Sequence, residues 1–181
     1  LILEIKFYGR GGQGVVMASQ MLAEAFFRAG FYPQCFSVFG GERRGAPVEG
    51  FLRVSKERIR LRCGITNPDH LVLMSVDLFV PELFCSIKEG GLVLVNSKGL
   101  PYELLASKGN LKLAHVDAQG IADSVGLGRA INTAVLGAYC RLLPELDLEV
   151  LRQVVRESVP AKVEENLKAL ELAYQEVTLV E

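Results

Sequence analysis

The sequence predicts a three-layer α/β/α single domain over residues 1-181, with a mainly parallel or mixed sheet, an inserted β-hairpin and C-terminal helices. Three patterns point there. An apolar run, Leu1 to Tyr8, is followed by the glycine-rich stretch Gly9-Arg10-Gly11-Gly12-Gln13-Gly14 and then by a long helical pattern, Val15 to Ala29. After the turn signal Asn67-Pro68-Asp69, short apolar runs alternate with helical segments, as they do where crossover helices join parallel strands. Amphipathic helical periodicity then occupies the C-terminal part of the chain.

The first run mixes β-branched and aromatic residues, which suits a strand entering the core. Gly9, Gly11 and Gly14 satisfy G-x-G-x-x-G, a spacing that permits positive φ and close backbone approach. The free N–H groups of the following helix would face an anion there. The same turn also occurs simply to pack a helix tightly on a sheet, so the motif alone leaves a phosphate site and a structural turn both open. Dinucleotide binding requires an acid about 20 residues on, at the end of the second strand. That strand is expected from Tyr32 to Phe36, followed by Ser37, Val38 and Phe39, and no acid stands there. NAD or FAD is therefore disfavoured.

In the first helix Gln20, Glu24 and Arg28 form a narrow polar stripe on an otherwise apolar cylinder, with Gly30 as its C-terminal stop. The loop Ser37 to Pro47 carries glycines around the pair Arg43-Arg44, which fits either a backbone shaped around an anion or a solvated basic turn. Val48 to Val54 and Ile59 to Cys63 read as a hairpin across Ser55-Lys56-Glu57. In its second strand Arg58, Arg60 and Arg62 share a face, which Arg53 would join, and such a face would suit an acidic partner.

Strands are expected at His70 to Met74, Leu92 to Asn96 and Leu111 to Val116, with helices at Leu78 to Lys88 and Pro101 to Ser107. Ser75, Asn96 and Asp117 fall at the C-terminal strand ends, where open α/β sheets bind ligands. Asn132 is placed to cap a helix from Thr133 to Leu143, in which Ala134, Gly137 and Ala138 admit another backbone. Helices at Leu148 to Ser158 and Ala161 to Val177 follow.

With 50% hydrophobic and 23% charged residues, the chain can fill one domain core. A net charge of -1 provides no overall field for nucleic acid or an anionic membrane. No apolar run approaches the roughly 18 residues of a spanning helix, and Glu4 and Lys6 interrupt the first run too early for a signal peptide. The expectation is a cytoplasmic protein. Cys35, Cys63, Cys85 and Cys140 are scattered without metal-ligand spacing and read as buried thiols acting as small hydrophobes. His70 and His115 have no nucleophile or carboxylate at a catalytic spacing.

In order, these pieces resemble the gamma subunit of 2-oxoacid:ferredoxin oxidoreductases of the pyruvate or 2-oxoglutarate type. The likeness rests on Tyr8 to Gly14, Ala18-Ser19-Gln20-Met21-Leu22-Ala23 and Phe39-Gly40-Gly41-Glu42-Arg43-Arg44-Gly45-Ala46-Pro47-Val48. It continues through Asn67-Pro68-Asp69, Val95-Asn96-Ser97 and Asn132-Thr133-Ala134-Val135-Leu136-Gly137-Ala138. The arginine-pair loop is nearer to the pyruvate type.

The resemblance implies a non-catalytic subunit in a complex that oxidatively decarboxylates a 2-oxoacid, transferring the acyl group to coenzyme A and electrons to ferredoxin. It places thiamine diphosphate and iron–sulfur clusters on sister subunits. Carried onto this chain, it makes Gly11, Gly12, Gln13, Gly14, Arg43 and Arg44 the coenzyme A contacts. A free-standing nucleotide-binding protein and a pure assembly module are the alternatives.

Overall fold

The computed structural model describes residues 1–41 and 45–180. Its frame is one seven-stranded mixed sheet, in the order β2-β3-β1-β4-β5-β6-β7. The strands are β1 (Ile2–Arg10), β2 (Tyr32–Phe39), β3 (Pro47–Ser55), β4 (His70–Leu73), β5 (Leu92–Asn96), β6 (Lys112–Val116) and β7 (Thr178–Val180). β1, β4, β5 and β6 run parallel; β3 lies antiparallel between β1 and β2, and β7 closes the far edge antiparallel to β6.

Side chains of a strand alternate between faces, and here the two faces are covered unequally. Ile5, Phe7, Val72, Leu94 and Ala114 form one large core with α1 (Val15–Arg28), α4 (Ala118–Ser124), α5 (Asn132–Arg141), α6 (Leu148–Ser158) and α7 (Val163–Glu176). On the other face Leu71, Leu73, Val93, Val95 and Leu113 meet the short helices α2 (Pro81–Cys85) and α3 (Tyr102–Ala106) and the segments beside them, including Phe79, Ile87 and Leu100. The apolar runs of β4 and β5 follow from this: a parallel strand covered on both sides has no wet face. The α/β class expected from the sequence is what the chain adopts.

The expected hairpin between Val48 to Val54 and Ile59 to Cys63 is not formed. β3 already has β2 along one edge and β1 along the other, with Leu52 opposite both Cys35 and Ile5. No edge remains for a further strand, and residues 56–63 run irregularly with Leu61 exposed. The hairpin pair is β2 with β3. Arg58, Arg60 and Arg62 are exposed as a polar segment, whereas Arg53 is nearly inaccessible and does not join them. The expected helix from Leu78 to Lys88 contracts to α2 after a 3-10 turn, Val76–Leu78.

α5 starts at Asn132 itself, with Ile131 as the residue before it, so Asn132 belongs to the first turn and is not its cap. Every residue of α5 except Arg141 is buried, and the approach that Gly137 allows is made by α7. α6 has the expected limits, and Asp147 caps it by accepting a hydrogen bond from Glu149 N at 2.8 Å. No helix among the described residues is long and apolar enough to cross a membrane.

Candidate functional site

The turn after β1 is held by its own side chains. Arg10 N donates to Gln13 Oε1 at 2.8 Å, and Gln13 Nε2 donates to the carbonyl of Met74, after β4, at 3.2 Å. Gln13 thereby stitches the turn to the neighbouring parallel strand. Gly11 N donates to Ala46 O at 3.0 Å, and Arg10 Nη1 to Gly45 O at 3.0 Å, which brings the chain just before β3 against the turn. Arg10 also holds Asp77 through Nη2, at 2.6 Å, and the guanidinium and Ser75 together keep that carboxyl below its ordinary range.

The glycines of the turn are not equivalent. Gly12 and Gly14 have φ of 91° and 83°, values strained for any residue with a side chain. A β-carbon at Gly14 would also lie 2.7 Å from Asn132 Nδ2. Gly11 has neither constraint: its β-carbon would meet Gly45 N at 3.5 Å and Ala46 O at 3.9 Å, both ordinary contacts. Gly9 sits where strand and helix pack, with a β-carbon falling 2.8 Å from Val15 Cγ2.

Gly14 is the N-cap of α1 and supplies no side-chain acceptor, and the first turn of this 14-residue helix has no acid. Its N–H groups and positive dipole end are therefore available to an anion. Two clefts flank the turn and share Gly12, Gly14 and Met17. One, of about 450 Å³, extends past Arg10, Val15 and Phe39. The other, of about 370 Å³, lies towards the starts of α5 and α7 and includes Asn132, Pro160 and Lys162.

The expected candidates are thus partly gathered. Gly11, Gly12 and Gly14 border the clefts, and the polar atoms of Gln13 are engaged inside the protein. Arg43 and Arg44 lie outside the described residues. Ser75, Asn96 and Asp117 stand at the C-terminal sheet edge but carry structural bonds. Ser75 Oγ bonds Asp77, Asn96 joins Met74 O to Ala118 N at 3.0 Å each, and Asp117 caps α4 through Gly120 N at 2.9 Å. The sequence reading counted Gly9 as a motif glycine but gave no role to Arg10, whose bonds to Gly45 and Asp77 depend on distant partners.

The remaining chemistry-bearing groups are dispersed. Among the described residues no three His, Cys, Asp or Glu side chains are grouped as metal ligands. Cys140 is buried, and burial pushes its thiol up to about 11. Cys63 and Cys85 are exposed, contrary to the expectation of buried thiols, because the segments carrying them lie at the protein surface. His70 Nδ1 meets the hydroxyl of the fully buried Tyr139 at 2.7 Å, a structural contact below the sheet edge opposite the glycine turn.

The glycine turn, opening onto two clefts at the start of a helix without a side-chain cap beside a mixed sheet, is the feature that sets this α/β domain apart. The chain belongs to the pyruvate ferredoxin/flavodoxin oxidoreductase family, whose model matches residues 4–176. It is 40% identical over 179 residues to pyruvate synthase subunit PorC of Methanothermobacter marburgensis, covering 97% of this chain and 98% of that protein. It is likewise 40% identical over 185 residues to the pyruvate/ketoisovalerate oxidoreductases common subunit gamma of Thermococcus kodakarensis, covering 99% and 100%. The crystal structure of pyruvate oxidoreductase subunit PORC of Thermotoga maritima superposes with a TM-score of 0.87 at 34% identity, over 99% of both chains. Within the family the chain is of the gamma-subunit type, a component of pyruvate or 2-oxoacid:ferredoxin oxidoreductases.

Proposed function

We propose that this chain is a non-catalytic subunit that contributes the glycine turn to the coenzyme A site of the complex and helps to assemble it. The observation that carries this reading is the turn itself, with Gly12 and Gly14 at positive φ before a long helix that has no side-chain cap and no acid in its first turn. Backbone N–H groups in that setting suit phosphate oxygens. In the reaction that the family resemblance implies, coenzyme A supplies the thiol that accepts the acyl group.

The part of this chain is to bind and orient. Gln13 fixes the turn from within, and Gly45 and Ala46, directly after Arg43-Arg44 in sequence, pack on it. The arginine pair is proposed to reach the phosphates. Sister subunits hold thiamine diphosphate and the iron–sulfur clusters, electrons leave the complex to ferredoxin, and the complex works in the cytoplasm without a nucleic-acid or membrane partner.

The test is the double substitution Arg43→Ala and Arg44→Ala in the assembled complex. One charged hydrogen bond to phosphate is worth roughly 1.5–3 kcal/mol, or about ten- to a hundredfold in affinity. The KM for coenzyme A should rise and its salt dependence weaken, with assembly first checked by gel filtration. An assembled double variant whose coenzyme A constant matches wild type across a salt series would defeat the proposal.

A further inference from the structure

At the edge of the sheet opposite the glycine turn, a cleft of about 430 Å³ opens between the starts of three parallel strands and the end of α5. One side of it is a row set by the register. His70 opens β4, Leu92 opens β5 beside it, and Lys112 opens β6 beside Leu92. Neighbours in register project to one face, and Leu92 belongs to the large core, so all three face the α5 side of the sheet. With strands about 4.8 Å apart, His70 and Lys112 bracket a gap of roughly 10 Å. The other side is Arg141, the last residue of α5, with Leu143, Pro144 and Glu145 after it.

The charged side chains of this cleft are not spent on one another. Lys112, Arg141 and Glu145 form no ion pair among the described residues, whereas Lys88, at the same sheet edge, is held by Asp69 at 3.0 Å and Glu4 at 3.3 Å. The guanidinium of Arg141 lies 5.4 Å from the ring centre of Tyr174, an aromatic contact that limits where it can go. Two cations against one carboxylate leave a single positive charge, and the carbonyl end of α5 trims it further. That balance suits one carboxylate better than a phosphate dianion.

His70 supplies a directed polar group. Its Nδ1 is held by the hydroxyl of Tyr139, 2.7 Å away, and the two rings meet edge-on at 87°. Tyr139 is fully buried, so the imidazole is fixed from inside the core. Nε2 has no partner among the described residues, and the ring lines the cleft. Burial disfavours the protonated ring most and Lys112 adds to that, while Asp69 and Glu145 act the other way. A bound anion would join Asp69 and Glu145.

We propose that this cleft binds a small monocarboxylic acid with a short apolar chain, its carboxylate lying between Lys112 and Arg141 and accepting a hydrogen bond from His70 Nε2. Leu92, Leu143, Pro144 and Leu179 form the apolar side for the chain. The site is separate from the glycine turn. β4 runs from His70 here to Leu73, and only beyond it does the Met74 carbonyl meet Gln13.

The chain has two histidines, so the ring Cε1–H resonances of the full chain report on His70 with His115, which does not line the cleft, as internal control. His70→Gln assigns the signal. On titration with butyrate the His70 resonance should move and its titration midpoint should rise, while His115 stays unchanged. Butanol, which has a chain but no charge, and inorganic phosphate, which has more charge but no chain, should bind more weakly. Lys112→Met and Arg141→Gln, both at exposed positions, should each weaken butyrate by roughly three- to tenfold, as partly solvated charged contacts do. Binding should tighten as pH falls toward the range in which His70 takes up its proton, a dependence that His70→Gln removes.

Butanol or phosphate binding as well as butyrate would overturn the ligand class. Unchanged butyrate binding in the Lys112→Met, Arg141→Gln double variant would overturn the site. Equilibrium dialysis of radiolabelled butyrate against the assembled complex is the second measurement. Binding there that the double variant loses is the expected result, and a complex that takes up none would show the cleft to be a contact between subunits and not a site for a free acid.

Discussion

Arg53 Nε lies 2.9 Å from Glu4 Oε1, an ion pair whose arginine side chain is 1% exposed. The guanidinium also donates to Gln34 Oε1 at 2.9 Å and Gly64 O at 3.0 Å, so one cation joins β1, β2, β3 and the segment after β3. A buried charge is tolerated only when its donors are matched in this way. Arg53→Met should destabilise the chain by about 3 kcal/mol, the lower end for breaking a buried pair, because Lys88 still partners Glu4 at 3.3 Å. Arg53→Lys should recover part of this, since it restores charge but not the fork. Chemical denaturation checks both; a Met variant as stable as wild type would show that the network contributes nothing net.

Gly14 and Gly11 should respond differently to substitution. An L-residue at φ 83° costs roughly 1–2 kcal/mol in strain alone, and the approach to Asn132 adds overpacking. A loss of about 2 kcal/mol or more in Gly14→Val corresponds to a fall in Tm of roughly 4–8 °C or more for a chain of this size. Gly11→Ala should melt close to wild type, because its β-carbon meets only ordinary contacts. Equal melting points for Gly14→Val and wild type would refute the strain argument.

The sequence made the centre of the sheet legible, because β4 and β5 are covered on both faces and are apolar along nearly their whole length. α6 was equally plain, since its polar face and cap are local. What escaped depended on distant partners. The alternation of Arg58, Arg60 and Arg62 imitates a strand, but whether an edge is free for it is decided by β1 and β2. Arg53 looked like one more surface arginine, and only Glu4, Gln34 and Gly64 make it a core residue.

β7 is three residues long and α4 seven, both too short to show a period. At the site, the motif marked the turn, but nothing local shows that Asn132 Oδ1 accepts from Thr133 N or that the amide of Asn166 is used by Thr133, Ala161 and Lys162.

Burial lowers the pKa of His70 below its ordinary 6.5, against the opposing pull of Asp69 and Glu145 and with a small push from Lys112. Tyr139, whose ionisation is strongly suppressed by burial, remains a hydroxyl, 2.7 Å from Nδ1 of the ring. With the folded pKa depressed, the unfolded chain takes up the proton first. The stabilisation is complete above pH 6.5 and is lost as pH falls from there through the folded pKa. His70→Gln keeps a hydrogen-bonding partner for Tyr139 without the titration, so the advantage of wild type over the variant should shrink below pH 6.5. Parallel stability curves from pH 5 to 7.5 would contradict the assignment (roughly the span in which histidine titrates).

Gly137 is the position where two opposite effects of the same substitution can be weighed. Alanine in mid-helix gains about 1 kcal/mol over glycine from propensity alone. Yet a β-carbon at 137 would lie 2.8 Å from the carbonyl carbon of Leu170 and closer still to its oxygen. The obstacle is the backbone of α7, so no rotamer change relieves it, and the helices must separate. α5 is buried almost all round and cannot yield toward solvent, and overpacking of this kind costs about 1–3 kcal/mol, occasionally more. Strain should therefore win, with Gly137→Ala losing about 2 kcal/mol net in urea denaturation. Because α7 starts at the cleft beside Gly14, the displaced helix should, on the proposed coenzyme A role of the glycine turn, also lower coenzyme A affinity in the assembled complex. A Gly137→Ala chain as stable as wild type would mean that α5 and α7 do not approach at this point.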